Sequence, residues 1–481
     1  MRFTFILLLI SSFSFGQAGV SGDDSQGGYS LRECIDYALE HNVTLRQTRL
    51  AYESSLNQLE ASKFSLYPTV NGQFSLNSNF GRNIDPFSND VVTQTIGTNR
   101  VGVGSSVTLY NGGRLRNTIE SNKLGLKASQ LDIQAQKNNI SLQVAVSYLN
   151  VLSARELVEV SVKNLEVTQL QLERTNKLVD AGALSPTNVF DLEAQLANNE
   201  LQLVNARNNV ENAKLTLLQA MNMIGTNNFT VEGVNVPQPS LQPYPQSANE
   251  VYQAAINFLP EVTASETREE MAQMNIEIAK SVGLPSIAAN ASWGTAYSTA
   301  AKNLIPTAPT FSQVPITADV GGETIAGIIN FPQQNFDREN IPYFSQFGNN
   351  QNMNVGVSMN IPIFNGFNKK FQTQGAKIQK MQAELNTEST QLNIRQSIEQ
   401  AFITMLNASK SYIAATAQVN ALEKSFVAAE SRYSQGASNF VDYNLAKTNL
   451  DRALANEIQT KYDYLFRLKI LDFYQNKPLT F

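Results

Sequence analysis

Residues 101–113 read VGVGSSVTLYNGG, and residues 355–367 read VGVSMNIPIFNGF, so one kind of segment occurs twice, 254 residues apart. In both copies a run of alternating small and apolar residues ends in Asn-Gly, and a helical pattern follows. The same offset holds without a gap as far as Leu196 and its counterpart Leu450.

A second gapless offset, of 217 residues, relates the segments upstream of these and pairs Pro68 with Pro285. The two offsets differ by 37 residues, which must lie between Pro285 and Val355. One structural unit is therefore present twice, and one connection is longer in the second copy. A duplicated unit that cannot close on itself is suited to symmetric assembly.

The first 18 residues are typical of a secretory signal peptide. Met1-Arg2 supplies a basic start, residues 3–15 are nearly all apolar or serine, and small residues follow. The apolar stretch is too short to span a membrane. We therefore expect residues 1–18 to be a signal peptide that is removed on export.

Composition excludes several functions. Beyond the predicted signal no run of 18 apolar residues occurs, so we expect no transmembrane helix, and the protein is soluble or reaches a membrane through β-strands. A net charge of −5 with only 16% charged residues gives no basic face, which argues against nucleic acid as a partner.

His41 and Cys34 are the only residues of their types, too few for a zinc site or a His-based catalytic triad. We expect no catalytic residue, cofactor or metal.

Four segments, 68–81, 101–113, 285–301 and 341–368, contain no charged residue. Within each of them apolar residues alternate with small or polar ones. In the last segment, one parity carries Met353, Val355, Val357, Met359, Ile361 and Ile363. Uncharged strands of about 10 residues with one apolar side are typical of transmembrane β-barrels. A pair of ordinary soluble hairpins is the alternative interpretation.

Helical patterns flank these strands. The first begins after Ser30, which forms a predicted capping box with Glu33, and it continues past a break near Asn42 until Pro68. A longer pattern runs from about Arg114 to about residue 179. Apolar residues recur in it every seven positions, at Val144, Val151, Val158, Leu165, Leu172 and Val179, and the second copy repeats this at Ile398, Met405, Tyr412, Val419, Phe426 and Tyr433.

This spacing predicts antiparallel coiled-coil packing against the helix that returns after Gly182. A helix of about 65 residues would be about 100 Å long, too long to fold back into a compact globule. From the order of these patterns we expect the first repeat to cover 29–222, with a β-hairpin over about 68–110 and a helix-pair tip at Gly182. A proline-rich linker, 223–247, follows it, and Phe229–Val231 is a candidate short strand.

The second repeat covers 248–478. We expect its β-hairpin over about 285–364 and its helix-pair tip at Gly436. The 37 additional residues fall around 299–350, a stretch rich in Pro, Gly, Thr and Asn that is typical of an enlarged loop. Its role, as a lid, as a variable outer surface or as a contact for phage, stays open.

Four strands cannot cross a bilayer alone, because their unpaired edges would leave backbone N–H and C=O groups bare in hydrocarbon. Single-chain barrels begin at about eight strands, so this chain would contribute only part of a barrel. Three chains would supply about twelve strands, enough to surround an open lumen.

At this point the sequence resembles a known family. The twice-repeated order of helix, hairpin and helix pair is similar to that of the TolC-type outer-membrane efflux proteins, the outer-membrane factors of tripartite export systems. The motifs that carry the resemblance are Leu109–Arg114, Ile361–Gly366, Arg432–Gly436 and Val441–Tyr443, and it covers about residues 29–478. It implies a mixed α/β membrane protein, a trimer whose twelve-stranded β-barrel is continuous with a periplasmic α-barrel.

The resemblance also implies a function and partners. The protein would be the outer-membrane exit channel of a tripartite efflux or type I secretion system in a Gram-negative bacterium, a passive duct gated at its periplasmic tip. Its partners would be two further copies of itself, outer-membrane lipid, a periplasmic adaptor (membrane fusion) protein and an inner-membrane RND or ABC exporter. Whether a drug, a metal, a small molecule or a protein is exported stays open.

The rival interpretation is a secreted coiled-coil structural or adhesive protein without channel activity. It would explain the sevenfold spacing and the signal peptide. It would not explain why all four strand segments exclude charge, nor why both return strands end in Asn-Gly before a helix.

Three groups of site residues follow. The resemblance implies a periplasmic gate at Tyr433, Asp442 and Asn188, the last being the first-repeat counterpart of Asp442, and adaptor-contact tips at Gly182, Ala183, Gly436 and Ala437. The strand–helix junctions are Pro68, Gly112, Gly113, Pro285 and Gly366. The chain departs from the family pattern at Ser438, where an arginine is usual, and at Leu445, where a second aspartate is usual. The salt-bridge latch of the family is therefore open to question here.

Overall fold

A computed structural model describes residues 28–84, 90–93, 95–224, 229–233 and 244–477. The predicted signal peptide, 1–18, and residues 225–228 and 234–243 of the predicted linker lie outside these ranges. Among the helices of the described residues, not one has a stretch both long and apolar enough to cross a membrane.

The helices of this part of the chain are α1 (Leu31–His41), α2 (Val43–Phe64), α3 (Arg114–Asp180), α4 (Thr187–Met221), α5 (Ala248–Phe258), α6 (Pro260–Ser281), α7 (Tyr343–Asn349), α8 (Asn368–Ser434) and α9 (Phe440–Phe473). The strands are β1 (Thr69–Asn79), β2 (Arg82–Ile84), β3 (Val91–Thr93), β4 (Ile96–Asn111), β5 (Ser286–Ser298), β6 (Lys302–Val320), β7 (Glu323–Asn340) and β8 (Asn352–Asn360).

Matching helices of the two copies have matching lengths. α1 and α5 have 11 residues each, α2 and α6 have 22 each, and α3 and α8 have 67 each. Ser30 caps α1 in a capping box with Glu33, as the sequence predicts, and Ser247 caps α5 with Glu250. The break at Asn42 is present, and its side chain accepts a hydrogen bond from the Leu45 N–H at 3.1 Å.

The four charge-free segments each form a strand of one antiparallel sheet, in the order β1-β4-β5-β8. Representative pairs are Phe74 with Val101, Val103 with Trp293, and Ala289 with Val357. The two hairpins are thus joined through β4 and β5, while β1 and β8 are the edges of the sheet. A short two-stranded sheet, β2-β3, lies in the connection of the first hairpin.

Two predictions about the second hairpin are wrong. β8 ends at Asn360 and does not continue through Ile361 to Ile363, because Pro362 has no N–H to donate to a ladder. The stretch 299–350 is not a structureless loop: β6 and β7 pair over most of their length, and α7 follows. Its turn-forming composition masked the alternation of apolar residues that supports this pairing.

The chain divides into two compact units. The first contains the chain up to Arg49, Ile133–Pro260 and Gln391–Phe481, and the second contains Leu50–Asp132 and Glu261–Thr390. Each unit therefore draws on both sequence repeats.

The core of the first unit forms around α1. Buried side chains from α1, α3, α4 and α9 pack together there, including Cys34, Ala38, Val144, Tyr148, Leu217, Met221 and Leu465. Burial raises the pKa of the Cys34 thiol to about 12, so this cysteine acts as a small apolar residue. The candidate strand at Phe229–Val231 takes the form of a single parallel bridge between Val231 and Tyr29.

The sevenfold pattern of α3 and α8 lies on their packed faces. Val144, Val151 and Ile398 are fully buried, and Met405 and Val419 are nearly so. In the second unit, polar contacts hold the start of α3. Its Ser129 hydroxyl lies 2.9 Å from that of Ser55 in α2, and its Ser121 donates to Asn275 of α6 at 3.0 Å.

Candidate functional site

The two tips of the helix pairs have the same backbone geometry. Gly182 follows α3 with φ of +75°, and Gly436 follows α8 with φ of +73°. Their N–H groups donate to the carbonyls three residues back, at 2.8 and 3.0 Å. Ala183 and Ala437 donate to the carbonyls five residues back, both at 2.9 Å. This is the Schellman ending of a helix, which glycine accepts without steric strain.

The helices that return from the tips begin differently in the two copies. In the second copy, Asn439 caps α9 by accepting a hydrogen bond from the Asp442 N–H at 2.9 Å. The exposed carboxylate of Asp442 accepts a hydrogen bond from the Ser438 hydroxyl at 3.0 Å. Asn188 lies in the first turn of α4, where no side chain caps the helix. Ser438 therefore contacts Asp442 directly.

An aromatic cluster lies beside these helix starts, and it includes two residues from the first copy. Leu192 of α4, Phe440 and Tyr443 of α9, and Tyr433 of α8 form this cluster together with Leu172 and Phe426. The ring of Tyr433 stacks on that of Tyr443 at 5.1 Å between centroids. Burial raises the pKa of Tyr443 to about 12.

Within one chain the structure does not join Tyr433 to Asp442. The Tyr433 hydroxyl is buried and has no hydrogen-bond partner in the described part of the chain. The Asp442 carboxylate is exposed and is engaged by Ser438. The Tyr433 hydroxyl therefore lies in an apolar environment and the Asp442 carboxylate in a solvent-exposed one, on adjacent helices.

A buried ion pair, which the sequence pattern did not predict, lies on α9. The Lys447 ammonium contacts both carboxylate oxygens of Asp451, at 2.7 and 2.8 Å, and donates to the Asn164 side chain of α3 at 3.1 Å. Only 8% of the Lys447 side chain and 14% of that of Asp451 are exposed. Lys447 lies four residues after Tyr443 and three before Leu450, both buried. Lys447 stands at a position where the helical spacing of buried residues predicts an apolar side chain, and this mismatch was the sequence signal that could have revealed the pair.

Further amide side chains extend this polar layer. Asn199 of α4 is buried, donates to the Thr168 hydroxyl of α3 at 2.8 Å and accepts from Gln195 at 3.0 Å. A cavity of about 260 Å³ borders Asn199, Gln195 and Asp451. It is polar and large enough to hold ordered water.

The strand–helix junctions also have matching geometry. Gly112 and Gly366, the equivalent glycines after β4 and β8, have φ of +68° and +62°. Gly113 has φ of +84°, and its equivalent is a phenylalanine, Phe367, with φ of +63°. Pro68 and Pro285 stand between a helix and the strand that follows it.

The four-stranded sheet exposes apolar side chains in regular alternation. On β8, the side chains of Met353, Val355, Val357 and Met359 are 59–75% exposed. On β1, those of Val70, Phe74 and Leu76 are 68–71% exposed. An exposed apolar surface of this extent marks a membrane or protein interface. Within the described residues, no three His, Cys, Asp or Glu side chains come together as a group that could hold a metal ion.

Comparisons with known proteins agree with this architecture. The family model described as "Outer membrane efflux protein" matches residues 34–223 and 251–474. The outer membrane efflux protein BepC of Brucella suis is 23% identical over 400 residues, 82% of this chain and 75% of that protein. The outer membrane protein TolC of Escherichia coli is 26% identical over 396 residues, 76% of this chain and 72% of that protein.

Solved structures share the fold at low sequence identity. The CmeC outer membrane channel of Campylobacter jejuni matches with a TM-score of 0.69 and 18% identity, covering 93% of this chain and 87% of that one. The outer membrane protein VceC of Vibrio cholerae matches with a TM-score of 0.70 and 14% identity, covering 93% and 96%. Because the family model spans most of the sequence, the chain belongs to the outer membrane efflux protein family and is an outer-membrane efflux channel with a periplasmic extension.

Proposed function

We propose that three copies of this chain form one passive duct, the exit component of a tripartite efflux or type I secretion system. The observation that carries this proposal is the open sheet β1-β4-β5-β8. Among the described residues its edge strands β1 and β8 have no further neighbour, and both expose uncharged, alternating apolar residues. Free edges are not stable in hydrocarbon, so the sheet needs neighbours of its own kind. Three copies would close a twelve-stranded β-barrel in the outer membrane.

The long helices support the other half of the proposal. In the first unit, the packed faces of α3, α4, α8 and α9 hold the two helix pairs side by side, as in the aromatic cluster around Tyr443. Three such sets would form a periplasmic α-barrel around the same axis. Its lumen would narrow at the helix starts, where Asp442 and Asn188 lie, and this narrowing would be the gate.

Such a duct needs partners that supply energy and cargo. We propose that the turns at Gly182-Ala183 and Gly436-Ala437 meet a periplasmic adaptor protein, and that an inner-membrane RND or ABC exporter drives transport. Specificity for the cargo would reside in that exporter, because a passive duct has no need to bind what passes through it.

The native mass of the protein tests the assembly. We expect protein extracted from the outer membrane in mild detergent to be a trimer of roughly 150 kDa, since one chain has a mass of 53.0 kDa. The same preparation should form ion-conducting channels in planar bilayers. A monomer without conductance would leave four unclosed strands and would favour the coiled-coil structural or adhesive alternative.

Asp442→Asn should reduce cation selectivity. In a trimer, three exposed Asp442 carboxylates would form a ring, and rings of carboxylates favour cations. Asparagine can still accept the Ser438 hydrogen bond, so the helix start should keep its structure. We expect the reversal potential in a salt gradient to move towards the unselective value. Glu173→Gln, which removes an exposed carboxylate already paired with Lys177, is the control. An unaltered reversal potential in Asp442→Asn means that the carboxylate lies outside the lumen.

Gly436→Trp should impair export while the channel still inserts into the membrane. Apart from its chain neighbours, no atom lies within 4 Å of where a Cβ at Gly436 would be, so a side chain added there starts in open space. We expect roughly tenfold weaker adaptor binding, which corresponds to about 1.4 kcal/mol. Gly436→Asn is the control, because asparagine accepts left-handed backbone. Export assays and adaptor pull-downs check this, and unchanged export by Gly436→Trp would remove the tip from the docking surface.

A further inference from the structure

A basic and aromatic cavity lies at the junction between β8 and α8. It has a volume of about 560 Å³, and its lining includes Lys280, Lys369, Lys370, Lys377, Phe364 and Phe367. All of these residues belong to the second compact unit. Neither the gate nor the tips make use of this cavity, and we call it the junction cavity.

The lysines of the junction cavity are poorly neutralised. Lys280 pairs with Glu277 at 2.7 Å, but Lys369, Lys370 and Lys377 have no carboxylate partner in the part of the chain that the structure describes. From residue 340 through residue 383 the sequence contains no Asp or Glu. The cavity therefore carries a local excess of positive charge in a protein whose net charge is −5.

Other atoms of the cavity suit an amphipathic anion. The Thr373 hydroxyl oxygen lies in the lining, is buried, and has no hydrogen-bond partner among the described residues. Phe364 and Phe367 are both more than half exposed, and their rings pack edge to face at 5.5 Å. The ammonium of Lys370 lies 6.0 Å from the centre of the Phe367 ring. Cationic and apolar surfaces are thus adjacent.

The order of residues along the chain resembles a membrane boundary. β8 is uncharged and exposes apolar side chains, residues 361–367 carry exposed Ile and Phe, and lysines begin at residue 369. Apolar, then aromatic, then basic residues are the sequence expected at the edge of a bilayer, where lipid phosphates lie.

The duplication provides an internal comparison. In the first copy, the positions of Lys369 and Gln374 are occupied by Leu115 and Glu120, and Glu120 pairs with Lys123 at 3.3 Å. The first copy has Arg114 where the second has Asn368, but among the described residues it still has two cations without a carboxylate partner here, Arg114 and Arg116, against three in the second copy.

Two glycine positions also differ between the copies. Leu66 of the first copy is replaced by Gly283, across which the side chain of Lys369 lies. Gly113 is replaced by Phe367, which keeps the left-handed backbone that disfavours a non-glycine residue. The second copy thus places a lysine side chain and an aromatic side chain on a left-handed backbone where the first has neither.

We propose that the junction cavity binds the phosphate of an anionic phospholipid in the periplasmic leaflet of the outer membrane. Lys369, Lys370 and Lys377 would face the phosphate, the Thr373 hydroxyl would donate to it, and Phe364 and Phe367 would contact the first carbons of an acyl chain. The proposal rests on the proposed function only for placing this junction at a membrane.

Native mass spectrometry of the full-length protein in mild detergent tests this proposal, with phosphatidylglycerol and phosphatidylcholine as probes. We expect selective retention of phosphatidylglycerol. The triple variant Lys369→Gln, Lys370→Gln, Lys377→Gln should bind it roughly a hundredfold more weakly, since each lysine near a lipid surface contributes about a fivefold factor. Gln374→Glu, which restores the acid of the first copy, should weaken binding severalfold.

The matched control is the pair Arg116→Gln and Lys123→Gln, the first-copy equivalents of Lys370 and Lys377, which should leave binding nearly unchanged. Equal retention of both lipids, or a triple variant that binds as the wild type does, would overturn the proposal. Displacement of the lipid by inorganic phosphate at buffer concentration would also overturn it, because the site would then take free phosphate. Trimer mass and conductance, measured on the same preparation, report separately on the proposed function.

Discussion

Asp451→Leu is expected to lower the free energy of unfolding of the first compact unit by about 3–5 kcal/mol, because it leaves the Lys447 ammonium buried without its partner. The wild-type ammonium contacts both oxygens of Asp451 and the side chain of Asn164. After the substitution, the neutral Asn164 oxygen is the remaining hydrogen-bond partner of the ammonium among the described residues.

The double variant Lys447→Met, Asp451→Leu should regain most of the lost stability. Apolar replacement of a buried ion pair is often neutral or stabilising, because neither charge then has to be desolvated. Recovery should be incomplete by about 1 kcal/mol, since the Asn164 oxygen loses its donor. Glu173→Leu, which breaks the exposed pair with Lys177, is the control and should leave stability nearly unchanged.

The free energy of unfolding of the single variant Lys447→Met should depend on pH more strongly than that of the wild type. Burial raises the pKa of Asp451, while the hydrogen bond and the charge of Lys447 lower it. Removing Lys447 therefore raises this pKa further. A carboxyl group whose native pKa exceeds its unfolded value contributes stability below the unfolded pKa, and that contribution is lost as pH rises through the native pKa. Relative to the wild type, we expect Lys447→Met to lose stability between acidic and neutral pH.

Thermal unfolding followed by circular dichroism at the helix band measures these differences. For a unit of this size we expect a fall in midpoint of roughly 2–4 °C for each kcal/mol. If Asp451→Leu unfolded at the wild-type temperature, or if the double variant were the less stable of the two, the pair would not be buried as described.

Gly112→Ala is expected to reduce stability by about 2–5 kcal/mol. Left-handed backbone costs a non-glycine residue about 1–2 kcal/mol, and overpacking adds about 1–3 kcal/mol. A Cβ at Gly112 would lie 2.7 Å from the Leu284 Cβ and 3.1 Å from the Ser281 carbonyl oxygen. Neither neighbour is the free end of a flexible side chain, so the junction between β4 and α3 must shift.

The equivalent substitution in the second copy separates the two contributions. Gly366→Ala has a similar φ, +62°, but no atom lies within 4 Å of its added Cβ. It should therefore show only the backbone effect, about 1–2 kcal/mol. Outer-membrane yield and thermal midpoint, measured for both variants side by side, check the difference. Equal losses in the two variants would mean that packing against Leu284 does not matter.

Local patterns along the chain identify most of the framework. Gly182 and Gly436 mark the ends of α3 and α8, Ser30 with Glu33 marks the start of α1, and charge-free alternation marks the four strands of the main sheet. Each of these signals acts within a few residues of the chain, through backbone conformation, capping or alternation of side chains.

Both wrong predictions concern places where alternating apolar residues indicate a strand while proline or glycine indicates a turn. Pro362 ends the ladder that the alternation of Ile361 and Ile363 would otherwise continue. In the stretch 299–350, proline and glycine masked the pairing of β6 with β7, which depends on residues up to 38 positions apart. Phe367 carries the left-handed backbone that the first copy assigns to Gly113, and no rule about phenylalanine predicts that.

The repeat, the four charge-free segments and the turn residues are local features of the sequence, so they were enough to predict a duplicated unit of helices and strands and the positions of its turns. The three-dimensional contacts were needed to find that Lys447 and Asp451 form a buried pair beside Asn164, that Tyr433 faces Tyr443 and not Asp442, and that four lysines, one of them paired with Glu277, line the junction cavity. These features depend on which side chains meet across different helices and strands, and periodicity does not specify such long-range contacts.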